Sequence, residues 1–153
     1  VGNVFDLGQK YSKAFEMGVT TKTGERIFPI MGCYGIGISR TMGVIVEKYH
    51  DEKGIVWPAN IAPFRASLIS LEGGEEKAKE VYEKLRSENI EVLWDARDAP
   101  AGAKFADADL IGNPYRIVVG KRSLEQGGVE VKKRDEGGTK IIKIDDLLTH
   151  ITP

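Results

Sequence analysis

Between Ala66 and Val119, short apolar runs alternate twice with segments of helical period, and this order limits the fold more than any other feature of the chain. Ala66 to Leu71 is an apolar run of strand length. Gly73-Gly74 then leads into Glu75 to Asn89, where Ala78, Val81, Tyr82 and Leu85 recur on one stripe at the spacing of an amphipathic helix. Ile90 to Trp94 reads as the next strand. Pro100 to Ile111 reads as a second helix with Phe105, Ala108 and Ile111 facing inward, ended by Gly112, and Tyr115 to Val119 as a third strand. Two more strands, Val129 to Lys133 and Lys140 to Ile144, flank a Gly137-Gly138 turn, and Asp145 or Asp146 is placed to cap a last helical turn. The order βαβαβ followed by ββ predicts an α/β fold: a sheet with a parallel core and an antiparallel margin, covered by helices.

The residues before this pattern read differently. Val1 to Leu7 is a strand broken by Gly8, and Gln9 to Met17 a short helix ended by Gly18. Val19 to Thr21 and Arg26 to Tyr34 flank a polar turn containing Gly24 and read as a hairpin. A helix starts at Ser39 with Met42, Ile45, Val46 and Tyr49 at helical spacing, and His50 falls in its last turn. Lys53 to Phe64, with Gly54, Pro58 and Pro63, carries the breakers of a connector. A domain boundary is expected near it. The chain opens on a strand at Val1, which suggests a piece of something longer.

Composition narrows the function classes. With 22 Lys+Arg against 23 Asp+Glu and 41% hydrophobic residues, a soluble globular protein is expected, not a disordered tail. Cys33 is the one cysteine, so there is no disulfide scaffold, and with His50 and His150 a hundred positions apart it makes no zinc cage. No apolar run approaches the ~20 residues of a membrane helix, so a cytoplasmic location is expected and no membrane partner. The near-neutral total hides a division. Glu72 to Asp98 is acidic, whereas Tyr115 to Lys143 carries Arg116, Lys121, Arg122, Lys132, Lys133, Arg134, Lys140 and Lys143 against four acids. Such a basic face suits a phosphate backbone.

The glycine excess, 18 where average usage would give about 11, concentrates at Gly32-Cys33-Tyr34-Gly35-Ile36-Gly37-Ile38-Ser39-Arg40. Alternating glycines weaken a strand, so bare backbone there serves close packing or a flat ligand. A dinucleotide-binding turn requires glycine where Arg40 stands, and no Gly-Lys-Ser/Thr of a P-loop follows. Gly35-Ile36-Gly37-Ile38-Ser39-Arg40 instead resembles motif 3 of class II aminoacyl-tRNA synthetases. Val1 to Gly8, Lys10-Tyr11-Ser12, Met31 to Gly35 and Lys104 to Gly112 are similar to segments of the bacterial-type prolyl-tRNA synthetases, in the same order.

The resemblance implies the end of an antiparallel α+β catalytic domain, residues 1–57, followed by an anticodon-binding domain, residues 58–153, from an enzyme that activates proline with ATP and Mg2+ and transfers it to tRNA(Pro). Motifs 1 and 2 of that family lie outside the chain, so the chain alone is expected to be inactive, and a homodimer is implied only for the intact enzyme. No metal ligand and no DNA contact is implied for these residues. By the resemblance, Gly35 and Gly37 give adenine-side backbone, Arg40 is the catalytic guanidinium on ATP, and Cys33, Asn3 and Phe5 border the proline pocket. Asp95 and Arg97 would read anticodon bases, Arg97 as a fork matching the O6/N7 edge of guanine, since proline anticodons end in two guanines. Lys104, Glu130, Lys132 and Arg134 would contact bases or phosphates. The competing reading is a free-standing RNA-binding or subunit-interaction module of the same fold without catalysis.

Overall fold

The structure, a computed structural model, describes residues 1–152. The chain divides into two compact units, residues 1–44 and the residues from Ile45 onward.

In the first unit, β1 (Gly2–Gly8) pairs antiparallel with β4 (Met31–Ile36), Gly2 opposite Ile36 and Asp6 opposite Gly32. Between them run α1 (Lys10–Ala14) and a two-residue ladder of β2 (Val19–Thr20) with β3 (Arg26–Ile27). The predicted helix to Met17 is shorter because Glu16 turns left-handed at φ 55°. The predicted hairpin arm from Arg26 to Tyr34 is also cut. Pro29 has no N–H to donate, and the residues after it leave β2 to pair with β1 instead. Ser12, 2% exposed, ties α1 to this crossing by donating to Pro29 O at 2.7 Å, while Gln9 Nε2 donates to Phe28 O at 2.8 Å. The β1–β4 ribbon is uncovered among the described residues, leaving Val4, Phe5, Tyr34 and Ile36 more than half exposed.

Helix α2 (Ile38–Lys48) begins in the first unit and ends in the second. His50 is not in its last turn. It starts a small ladder, β5 (His50–Asp51) with β6 (Gly54–Ile55), whose reversal is set by Asp51 Oδ1 accepting from the N–H of Lys53 at 2.8 Å and of Gly54 at 3.1 Å.

The second unit is built on a five-stranded mixed sheet in the order β11-β10-β9-β7-β8. β7 (Ala66–Ser70), β8 (Val92–Asp95) and β9 (Tyr115–Val119) are parallel, and β10 (Val129–Lys133) and β11 (Lys140–Ile142) add an antiparallel margin. This is the α/β class that the alternation dictates. Every residue of β7 is buried, as in a strand covered on both faces. On one face Ala66, Leu68, Ile117 and Val119 pack with Ala78, Val81 and Leu85 of α3 (Glu75–Ser87) and with Leu147 and Ile151 of α6 (Leu147–Ile151). On the other, Ile69 and Val118 pack with Ala108 and Phe105 of α4 (Ala101–Ile111).

Several boundaries differ from expectation. α3 stops at Ser87 because Asn89 is left-handed at φ 59°. Ile111 is 37% exposed, and the inward stripe of α4 instead includes Lys104, 5% exposed, whose Nζ donates to Ser70 O at 2.7 Å. A short helix, α5 (Lys121–Glu125), follows β9 and was not expected. Ser123 closes its first turn, its Oγ accepting from Gly120 N at 3.1 Å.

Candidate anticodon-reading cleft

The carboxyl ends of the three parallel strands open into a cleft of about 1280 Å³, walled by the loops Leu71–Gly74 and Ala96–Pro100, the start of α5 and the outer strands. Ligands of open α/β sheets bind outside the carboxyl ends of the strands, where connections leave toward opposite faces. Here α3 follows β7 on one face and α4 follows β8 on the other.

The sequence-predicted residues divide at this cleft. Arg97, Lys104 and Glu130 line it, while Asp95, Lys132 and Arg134 do not. Asp95 ends β8 and grips Arg97 from behind: Nε donates to Asp95 Oδ1 at 2.9 Å and Nη2 to Asp95 Oδ2 at 2.7 Å. Asp107 of α4 accepts a further bond from Nη2 at 2.6 Å. These bonds hold the Asp95 carboxyl below the usual carboxylate range, the Arg97 contact being the largest cause, and push the Arg97 guanidinium further up, chiefly through Asp95 and then Asp107. The bound guanidinium is therefore not the open fork that the sequence suggested.

Lys132 stands opposite Arg116 on β9, away from the cleft. Arg134 lies just past β10 with its side chain 6% exposed. It is fixed by Asp51 at 2.6 and 2.7 Å and by donation from Nε to Asp109 O at 3.1 Å. That contact, first among the causes, raises the Arg134 pKa and holds the Asp51 carboxyl far below its ordinary range. Arg134, expected to contact bases or phosphates, is thus held in an internal ion pair. A contact across 83 positions leaves no local pattern to read.

Three cations beyond the residues expected at the site also line the cleft: Lys121 and Arg122 of α5 and Lys140 of β11. None of the three forms an ion pair among the described residues. The basic excess between Tyr115 and Lys143 was the available signal, but with α5 unrecognised it could not be tied to a place.

In the first unit, Asn3 is opposite Gly35 and Phe5 opposite Cys33. Side chains alternate along a strand and cross-strand partners share a side, so all four occupy one face of the ribbon. Nothing lies within 4 Å of a Cβ placed on Gly35, whereas one on Gly37 would meet Arg40 Cβ at 3.4 Å. Arg40 is exposed in the first turn of α2, and Thr41 secures that turn by donating from Oγ1 to Gly37 O at 2.9 Å. Among the described residues no group of three or more His, Cys, Asp or Glu could hold a metal, and no helix is long and apolar enough to cross a membrane.

Comparison with known proteins gives this geometry its context. A family model described as "Anticodon binding domain" matches residues 61–152. The chain is similar to proline--tRNA ligase of Bacillus pumilus, 48% identical over 155 residues, and of Legionella pneumophila (strain Corby), 45% identical over 156. Each match covers 99% of this chain and 27% of the relative, so the chain spans about a quarter of the length of these enzymes. Among solved structures, Giardia lamblia prolyl-tRNA synthetase in complex with prolyl-adenylate superposes with a TM-score of 0.81 at 28% identity, covering 96% of this chain and 32% of that one. With more than half of its residues matched by the family and its five-stranded sheet in place, the chain belongs to the anticodon-binding domain family.

Proposed function

We propose that this chain is the part of a proline--tRNA ligase that joins the end of the catalytic domain, residues 1–57, to the anticodon-binding domain, residues 58–153. The observation that carries the reading is the continuity of the match, 45–48% identical across both units and not the second alone. A free-standing binding module has no use for a glycine ribbon that leads into an exposed arginine.

In this reading Gly35 and Gly37 leave the backbone bare where the adenine of ATP lies, and Cys33, Asn3 and Phe5, gathered on one ribbon face, border the proline. Arg40 sets a fixed positive charge against the polyphosphate as the proline carboxylate attacks, the kind of preorganised electrostatics that lowers such barriers. Among the described residues no group of three or more His, Cys, Asp or Glu could hold a metal ion, so no step is routed through Mg2+. Motifs 1 and 2, the homodimer and the ligation of proline belong to the intact cytoplasmic enzyme. The cleft takes the anticodon of tRNA(Pro): Arg97 and Glu130 face bases, Lys104 supports the wall between β7 and α4, and Lys121, Arg122 and Lys140 meet phosphates. Asp95 serves by holding Arg97, and Arg134 by fixing the Asp51 turn.

The catalytic half of the reading is tested in the intact ligase by ATP/pyrophosphate exchange. Arg40→Ala lowers exchange at least tenfold with proline binding retained; unchanged exchange would remove the assignment.

A further inference from the structure

Arg97 lines two depressions at once, the cleft and a smaller groove of about 390 Å³ between β8 and α4. Asp95 and Asp107 line the groove and no part of the cleft. A guanidinium carries five N–H donors, one on Nε and two on each terminal nitrogen. Asp95 takes Nε–H and one N–H of Nη2, at 2.9 and 2.7 Å, and Asp107 takes the other N–H of Nη2 at 2.6 Å. Nη1 forms no hydrogen bond to the described residues. The two-point grip of Asp95 sets the plane of the group, and Asp107 blocks rotation within that plane.

A fork toward the O6/N7 edge of guanine would need Nη1 together with the Nη2 donor that Asp107 holds. Freeing that donor exchanges a bond between two charged groups for one to a neutral acceptor and leaves the Asp107 carboxylate without its partner. We propose that Asp107 is a positioning residue for anticodon readout: with Asp95 it withholds Nε and Nη2, so that Arg97 presents Nη1 alone and contacts one acceptor atom of a guanine in place of the O6/N7 pair. The inference rests on the reading above that the cleft receives the anticodon. It assigns specificity to a helix residue outside the cleft, and it makes the contact insensitive to one of the two acceptors.

The test is fluorescence anisotropy of this chain with an anticodon stem-loop of tRNA(Pro), each anticodon guanine replaced in turn by 6-thioguanine, which puts a poorly accepting sulfur in place of O6 and keeps N1–H, or by 7-deazaguanine, which lacks N7. At one guanine the wild type loses about tenfold in affinity with one analogue, the scale of a specific base contact, and less than twofold with the other. Asp107→Ala frees Nη2, so sensitivity to the second analogue emerges, and Asp107→Glu restores the wild-type pattern. Asp107 is half exposed, so the fold survives the change, and circular dichroism checks that it does. Equal losses with the two analogues in the wild type, or a pattern unmoved by Asp107→Ala, would overturn the proposal. If neither analogue matters and Arg97→Ala also binds unchanged, the cleft reading itself fails and takes the proposal with it.

Discussion

Gly112→Ala tests how the end of α4 meets the segment that precedes the sheet. Gly112 ends α4 in the left-handed region at φ +78°, its N–H bonding Ala108 O at 3.0 Å. A Cβ added there would fall inside the contact shell of the Ile55 carbonyl, which is backbone and cannot rotate away. The same junction carries the bond from Trp57 N to Gly112 O at 3.2 Å and from Trp57 Nε1 to Ile111 O at 2.9 Å. The left-handed conformation costs alanine about 1–2 kcal/mol, and forcing the β6 backbone aside adds about 1–3 kcal/mol. The expected loss is about 2–5 kcal/mol, read from urea unfolding followed by the fluorescence of Trp57 and Trp94. Gly112→Asn separates the two causes. Asparagine tolerates the left-handed region but keeps the Cβ, so it should recover only the smaller share. Gly102→Ala in the same helix, where nothing lies within 4 Å of the new methyl, should instead stabilise by about 0.5–1 kcal/mol. A Gly112→Ala protein within about 1 kcal/mol of wild type would refute the close approach of Gly112 to Ile55.

Lys104 is a buried cation held by one carbonyl and no carboxylate among the described residues. Lys104→Met should therefore leave stability unchanged or raise it by up to about 2 kcal/mol; a fall of more than about 1 kcal/mol in urea unfolding would count against this. Because the folded pKa of Asp95 lies below its unfolded value, the grip on Arg97 contributes fully above the ordinary carboxylate range and is lost as pH falls through the folded pKa. Carboxyl NMR should put the Asp95 midpoint below 3.8, with Arg97→Ala moving it upward, and a midpoint that ignores Arg97→Ala would contradict the grip. The uncovered ribbon of β1 and β4 should make residues 1–44 the first region cut in limited proteolysis, while the sheet from Ala66 resists; early cuts within β7 or β9 would contradict that order.

The alternation from Ala66 to Val119 revealed the parallel core because Ala78, Val81 and Leu85 repeat at helical spacing in α3, while Leu68 and Ile69 and then Ile117, Val118 and Val119 concentrate in runs of strand length. What escaped was set by contacts distant in sequence. Lys104 replaces Ile111 on the inward stripe because its stem crosses buried surface to reach Ser70 O, which apolar counting does not see. His50 leaves helix α2 because the Asp51 side chain organises a turn behind it. Arg134 looked like one more exposed cation on a basic strand until the fold brought Asp51 to it. In the cleft, Arg97 and Glu130 were legible from their segments, whereas Lys121 and Arg122 depend on α5, a five-residue helix too short to show a period. The glycine ribbon was the clearest local signal, since the missing side chains are themselves visible in the sequence.

The central claim is that the cleft reads an anticodon and does more than attract phosphate. Phosphate contacts alone give affinity without base preference and a steep dependence on salt. Filter binding of this chain at fixed salt, comparing tRNA(Pro) with the same tRNA carrying both anticodon guanines changed to adenine, separates the two directly. The account predicts an affinity at least tenfold lower for the altered tRNA, a difference that Arg97→Ala reduces; equal affinity for the two tRNAs would contradict it.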